Sequence, residues 1–194
     1  MATKKQTKGK VKQSPVLELF MTRDFDAPRE ILWDAWTKPE ILQRWWGPRE
    51  FITPVAEIDL RIGGNFTYCM RSPQGQDFWG IGTYKEIEPP ERLLYFDSFA
   101  DKDGNIVPAS YYGITAEIPE KMLVEVTIEE IGEKTRLTLK HLGFPKGKHF
   151  DGATMGWSQS LDKLEEVVRQ LSVVDIAEHE SDYEFYEYST EDRL

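Results

Sequence analysis

Residues 151–171 read DGATMGWSQSLDKLEEVVRQL, and this stretch decides the fold. Trp157, Leu161, Leu164, Val168 and Leu171 recur at the spacing of one helical face, while Asp162, Lys163, Glu165, Glu166 and Arg169 fill the other. Much of the chain before it reads as short strands. Ala56, Ile58 and Leu60 alternate with Glu57 and Asp59; Phe66, Tyr68 and Met70 alternate with Asn65, Thr67 and Cys69. Met122, Val124, Val126 and Ile128 alternate with Glu125, Thr127 and Glu129, and Leu137, Leu139 and His141 lie opposite Arg136, Thr138 and Lys140. Each of these strands offers one apolar face. A sheet with one apolar face needs a cover, and only the final helix is long enough to provide it. The prediction is an α+β fold: a curved antiparallel sheet wrapped around a long C-terminal helix. A sheet curved around a single helix does not fill evenly, which leaves room for a cavity between the two.

Moving outward, Leu17, Leu19, Met21 and Phe25 share one parity and predict a first strand over 16–25. Two short helices follow it. The first opens at Pro28 with Glu30 in its first turn, and Ile31, Leu32, Ala35 and Trp36 form its apolar stripe. The second opens at Thr37-Lys38-Pro39-Glu40, which reads as a capping box with Thr37 as the cap. It closes at Trp45-Trp46-Gly47-Pro48, a glycine stop followed by proline. These helices are expected to close one end of the cavity. Gly63-Gly64 and the run Ser72 to Gly75 are turns between strands. Segments 78–87 and 93–99 are strand-like, but their pattern does not decide which face turns inward. Gly80 and Gly82 sit inside the first of them, where glycine relieves crowding or bends the sheet. A polar loop spans about 100–120.

The 194 residues are 40% hydrophobic, 30% charged and 12% aromatic, enough for one domain with a core. The net charge is −10, which argues against a general nucleic-acid binder. It is unevenly spread: residues 1–13 carry five lysines and no acid, and residues 172–194 carry eight acids and one arginine. The expected organisation is a basic arm at 1–13, one domain at 14–171 and an acidic tail at 172–194. The tail's Tyr183, Phe185, Tyr186 and Tyr188 give it a means of docking. No apolar run approaches the roughly 18 residues that span a bilayer, and the lysine-rich start lacks the apolar segment of a secretory signal. A soluble cytoplasmic protein is the expectation. Cys69 is the lone cysteine, which excludes an internal disulfide.

Several motifs resemble one family in order. They are Phe25-Asp26-Ala27-Pro28-Arg29-Glu30 with Trp33, then Trp45-Trp46-Gly47-Pro48, then Asp59-Leu60-Arg61 with Gly63-Gly64. Tyr84-Lys85-Glu86-Ile87 with Pro89-Pro90-Glu91-Arg92-Leu93, the run Lys134 to Leu139, and the run Gly156 to Leu164 continue the series. Together they resemble the family of the activator of heat-shock protein 90 ATPase. That family sits in the START-like (SRPBCC) helix-grip superfamily, alongside the birch-pollen allergen type, lipid-transfer domains and aromatic polyketide cyclases. The resemblance runs over about 16–171. It departs at the turn before Gly63, where the family often has proline and this chain has Ile62. It implies a deep apolar pocket between sheet and helix, and it does not imply one activity.

The candidate ligand-binding residues follow from parity, helical spacing and that implied pocket. They are Trp36, Trp45, Trp46, Met155, Trp157 and Leu161 on or beside the helices, Phe66, Tyr68, Met70 and His141 on the strands, and Tyr112 in the loop. For each tryptophan the competing reading is core filling; adjacent Trp45 and Trp46 differ, since neighbours on a helix point about 100° apart. Tyr68 belongs on the pocket wall or at a solvent-facing strand end. His141 is a ligand-orienting group, a general base, or a strand-end histidine bonded to backbone or water. The loop carrying Tyr111 and Tyr112 is a candidate lid. No metal or cofactor motif appears: there is no HxH or HExxH pair, Walker loop, GxGxxG or GxSxG elbow. Three function classes remain. The favoured one is a binding module for a hydrophobic or aromatic small molecule. The second is a cyclase- or dehydratase-like enzyme in the same pocket, using His141 with Tyr68 or Asp97. The third, not favoured, is interaction with a chaperone partner. A homodimer through edge strands stays open.

Overall fold

Strand β1 (Val16–Phe25) leads into helices α1 (Arg29–Thr37) and α2 (Pro39–Trp45). Six strands follow: β2 (Ile52–Ile58), β3 (Asn65–Arg71), β4 (Asp77–Glu88), β5 (Arg92–Ala100), β6 (Met122–Ile131) and β7 (Lys134–Pro145). Helix α3 (Lys148–Tyr188) ends the series. The computed structural model describes residues 16–114 and 117–188, with side chains up to Val173. The basic arm 1–13 lies outside the described residues, as do 189–194 and the side chains of Tyr183, Phe185, Tyr186 and Tyr188.

The strands form one antiparallel sheet in the order β1-β7-β6-β5-β4-β3-β2. Strands β2 to β7 are a meander of successive hairpins. Helices α1 and α2 carry the chain from β1 on one edge to β2 on the other. The sheet is curved and unclosed, and α3 lies in its concave face: this is the α+β helix-grip arrangement.

Alternation explains the burial. Val124, Val126, Ile128, Leu137 and Leu139 are buried on the inner face, and from α3 so are Leu161, Leu164, Val167 and Val168. Each such side chain contributes roughly 1.5–3 kcal/mol relative to leaving it in water. Polar links also hold the helix in place. Arg23 on β1 donates to Asp162 at 2.5 Å, and the Lys163 ammonium donates to the carbonyls of Trp46, Gly47 and Phe51 at 3.1–3.3 Å.

In β4 the inward positions include Gly80 and Gly82, which pair with Tyr68 and Phe66 of β3. A Cβ at Gly82 falls within the Phe66 ring, and one at Gly80 collides with the Tyr68 ring. These glycines make room for two aromatic rings to lie flat across the sheet. A bulge acts near the other end of the inner face. Leu17 pairs with Phe144 but Glu18 pairs with Leu142, so Gly143 is the extra residue in β7. His141 faces inward and Leu142 outward, and the bulge returns Phe144 to the inner side.

Three local expectations are corrected. Thr37 is not the cap of α2: it ends α1, its hydroxyl donating back to the Trp33 carbonyl at 2.7 Å, and Lys38 is the N-cap. Leu60 does not continue an inward stripe: β2 ends at Ile58 and Leu60 is exposed, because the chain turns toward Gly63 there. Helix α3 begins before 151 and its backbone continues past 171, so the expected boundary between domain and tail is not a helix end. Among the described residues no helix is long and apolar enough to cross a membrane.

Candidate functional site

Helix α3 changes character along its inner face. From Leu161 onward that face carries leucine and valine, which fill the space against the sheet. Before it stand Gly152, Ala153, Gly156 and Ser160, side chains too small to reach across. The space they leave is a cavity of about 240 Å³. Its walls are mostly apolar: Trp46, Met70, Phe99, Met122, Phe144 and Trp157. On α3 the Ser160 hydroxyl donates to the Gly156 carbonyl; the other polar side chains are Tyr68, Asp97 and His141, from β3, β5 and β7.

These polar groups form a connected series. The Trp157 indole N–H donates to His141 Nδ1 at 3.1 Å. His141 Nε2 stands 3.9 Å from Asp97 Oδ2, beyond hydrogen-bond reach. Asp97 Oδ1 accepts from the Tyr68 hydroxyl at 3.1 Å. Burial governs the charges. It pushes Asp97 up to about 7, against the Tyr68 hydroxyl and the Ser98 backbone N–H, which pull the other way. It pushes His141 down to about 3, so the ring is neutral near physiological pH. Burial, with Asp97 beside it, holds the Tyr68 hydroxyl well above its ordinary value, so that hydroxyl stays a donor.

The residues singled out in the sequence divide into two groups. Trp46, Tyr68, Met70, His141 and Trp157 come together around the cavity. Trp36, Trp45, Phe66 and Leu161 are buried beside it, in the core. Trp45 is fixed there by its indole N–H, which donates to the Ala35 carbonyl at 2.9 Å. Its neighbour Trp46 packs edge-on against it and also on Trp157 and Tyr68, with ring centroids 5.2, 5.3 and 5.0 Å away. Two residues belong to neither group. Met155 is 61% exposed and does not line the cavity, although it stands next to Gly156 on α3. Tyr112 does not line the cavity: its hydroxyl accepts from the Trp79 N–H and donates to the Ala100 carbonyl, tying the loop to the ends of β4 and β5. That loop contributes no lining residue among those described, and positions 115 and 116 lie outside the described residues. Cys69 is buried away from the cavity, and burial raises its thiol to about 11, which removes it as a nucleophile.

Sequence reasoning missed the small-residue face of α3 and weighed Asp97 only as a partner for His141. A signal existed for each. Gly152, Gly156 and Ser160 recur at four-residue spacing, and Asp97 shares its parity with Leu93, Tyr95 and Phe99. Among the described residues no group of three or more potential ligands stands close enough to hold a metal ion.

Several solved structures are similar to this chain. A protein of Chromobacterium violaceum is 27% identical, over 78% of this chain and 96% of that one, with a TM-score of 0.65. A protein of Arthrobacter aurescens is 25% identical, over 79% and 87%, with a TM-score of 0.67. A protein of Nitrosomonas europaea, 24% identical over 81% and 97% with a TM-score of 0.66, shares the fold. No curated protein matches the chain. The family model described as "Activator of Hsp90 ATPase homolog 1-like protein" matches residues 26–169, which take in everything from the end of β1 to the buried turns of α3. The chain therefore belongs to the Activator of Hsp90 ATPase homolog 1-like family, within the START-like helix-grip superfamily.

Proposed function

We propose that this protein binds a small, largely apolar molecule between the sheet and α3, as a carrier, sensor or sequestering protein. One observation carries the reading: an apolar cavity of about 240 Å³ lies in a core that is otherwise filled by large side chains. Interiors pack closely, and an apolar cavity of about 150 Å³ is enough to bind benzene. The space here suits a molecule of about two fused rings. Aromatic walls with a few polar groups at one end are the usual lining of a small-molecule site.

Tryptophan emission tests the reading, because Trp46 and Trp157 both line the cavity. A panel of flat aromatic and short fatty compounds is expected to include ligands that change the emission saturably. Ala153→Phe, which fills the cavity from α3, is expected to abolish the response. A panel that produces no saturable change in the wild-type protein contradicts the proposal.

A further inference from the structure

We infer that the ligand of this cavity carries a neutral hydroxyl, held between Nε2 of His141 and Oδ2 of Asp97. The inference rests on the cavity being a small-molecule site and names the chemistry that selects the molecule.

The bond from Trp157 fixes the tautomer of His141. An indole N–H only donates, so Nδ1, which receives it from Trp157, carries no proton. The proton of the neutral ring is therefore on Nε2. His141 is 3% exposed, and Nε2 has no hydrogen-bond partner among the described residues. A buried donor without an acceptor is costly, so this corner calls for an acceptor atom. Across from it, one oxygen of Asp97 is occupied by the Tyr68 hydroxyl and the other faces Nε2 at 3.9 Å. That gap is too long for a direct bond, and an oxygen about 2.8 Å from both atoms would bridge it once the buried corner opens to admit it.

Only some oxygen groups satisfy both sides. A hydroxyl accepts from Nε2–H and donates to the free carboxylate oxygen. Above about pH 7, where Asp97 is ionised, a carboxylate places a second negative charge beside it. An ammonium offers Nε2–H no acceptor, and a hydrocarbon leaves both groups unpaired. The body of the ligand follows from the same residues: the rings of Trp157 and Tyr68, which set the polar atoms, are themselves cavity wall. The favoured class is thus a compact aromatic alcohol or phenol, with its hydroxyl buried first and its rings against the tryptophans.

Calorimetric titration of the full chain with 2-naphthol, naphthalene and 2-naphthoate at about pH 8, where Asp97 is ionised, tests this. The expected order is 2-naphthol at least about tenfold tighter than naphthalene, as follows when buried polar groups are otherwise left unpaired, with 2-naphthoate weaker than 2-naphthol. In His141→Phe and in Asp97→Asn the preference for 2-naphthol over naphthalene is expected to shrink to about twofold or less. If naphthalene binds the wild-type protein as tightly as 2-naphthol, the hydroxyl site is wrong while the cavity reading stands. Tighter binding of 2-naphthoate than of 2-naphthol overturns it as well. If none of the three binds, the cavity reading fails and the inference falls with it.

Discussion

Asp97 and His141 are pushed in opposite directions by the same cause. Burial disfavours the charged form of each, so the carboxyl rises to about 7 and the imidazole falls to about 3. The groups facing Asp97 are Tyr68 from β3, Tyr95 from its own strand and His141 from β7. The consequences for stability differ in sign. Between 3.8 and about 7 the folded state holds the Asp97 proton that the unfolded chain has released, so stability falls as pH rises through that window. His141 contributes in full above 6.5, and its contribution is lost as pH falls toward 3. Asp97→Asn removes the first effect and keeps the shape. Relative to wild type, this variant is expected to gain about 3 kcal/mol between about pH 5 and about pH 8 in urea unfolding. A difference that does not change with pH shows that Asp97 ionises as an ordinary carboxylate.

Helix α3 both fills the sheet and leaves the cavity, and Lys163 marks the join. Its ammonium gathers three carbonyls at the end of α2 and in the loop that leads to β2, the loop that carries Trp46 and the cavity's Gly47 and Pro48. Lys163→Met keeps the stem and removes the donors. It is expected to cost about 2 kcal/mol and to speed amide exchange around residues 46–51. Wild-type stability in that variant means the carbonyls are served as well by water. The elements differ in how far their sequence discloses them. The α3 face from Leu161 onward and strands β3, β6 and β7 are readable because large apolar residues mark their period. In β4 the inward positions Gly80 and Gly82 carry no side chain, so the alternation cannot be seen. In β5 Leu94 and Phe96 on the outer face blur the contrast with Leu93 and Tyr95 inside. That is why Asp97 has no assigned face until its neighbours are in place. The small residues of α3 escape notice for a related reason: a pattern search counts large apolar residues, whereas a cavity wall is made where they are missing. Whether Trp36, Trp45 and Phe66 are wall or core depends on what stands opposite, which sequence spacing does not specify.

Seen whole, the molecule is an open sheet closed over a helix along one half of its length and held off it along the other. Close packing over Leu161, Leu164, Val167 and Val168 anchors the helix, and the glycine-rich turns before it leave the space. The charge of −10 bears on solubility, and the cavity itself is built from aromatic and sulfur-bearing side chains. Methionine methyl groups give a local readout of that space. Met70 and Met122 line the cavity, Met21 lies on β1 away from it, and Met155 is exposed on α3 and does not line it. In carbon-13 methyl spectra titrated with 2-naphthol, Met70 and Met122 are expected to shift saturably while Met155 stays in place. Resonances of Met70 and Met122 that remain fixed, or a shift confined to Met155, would contradict binding between the sheet and the helix.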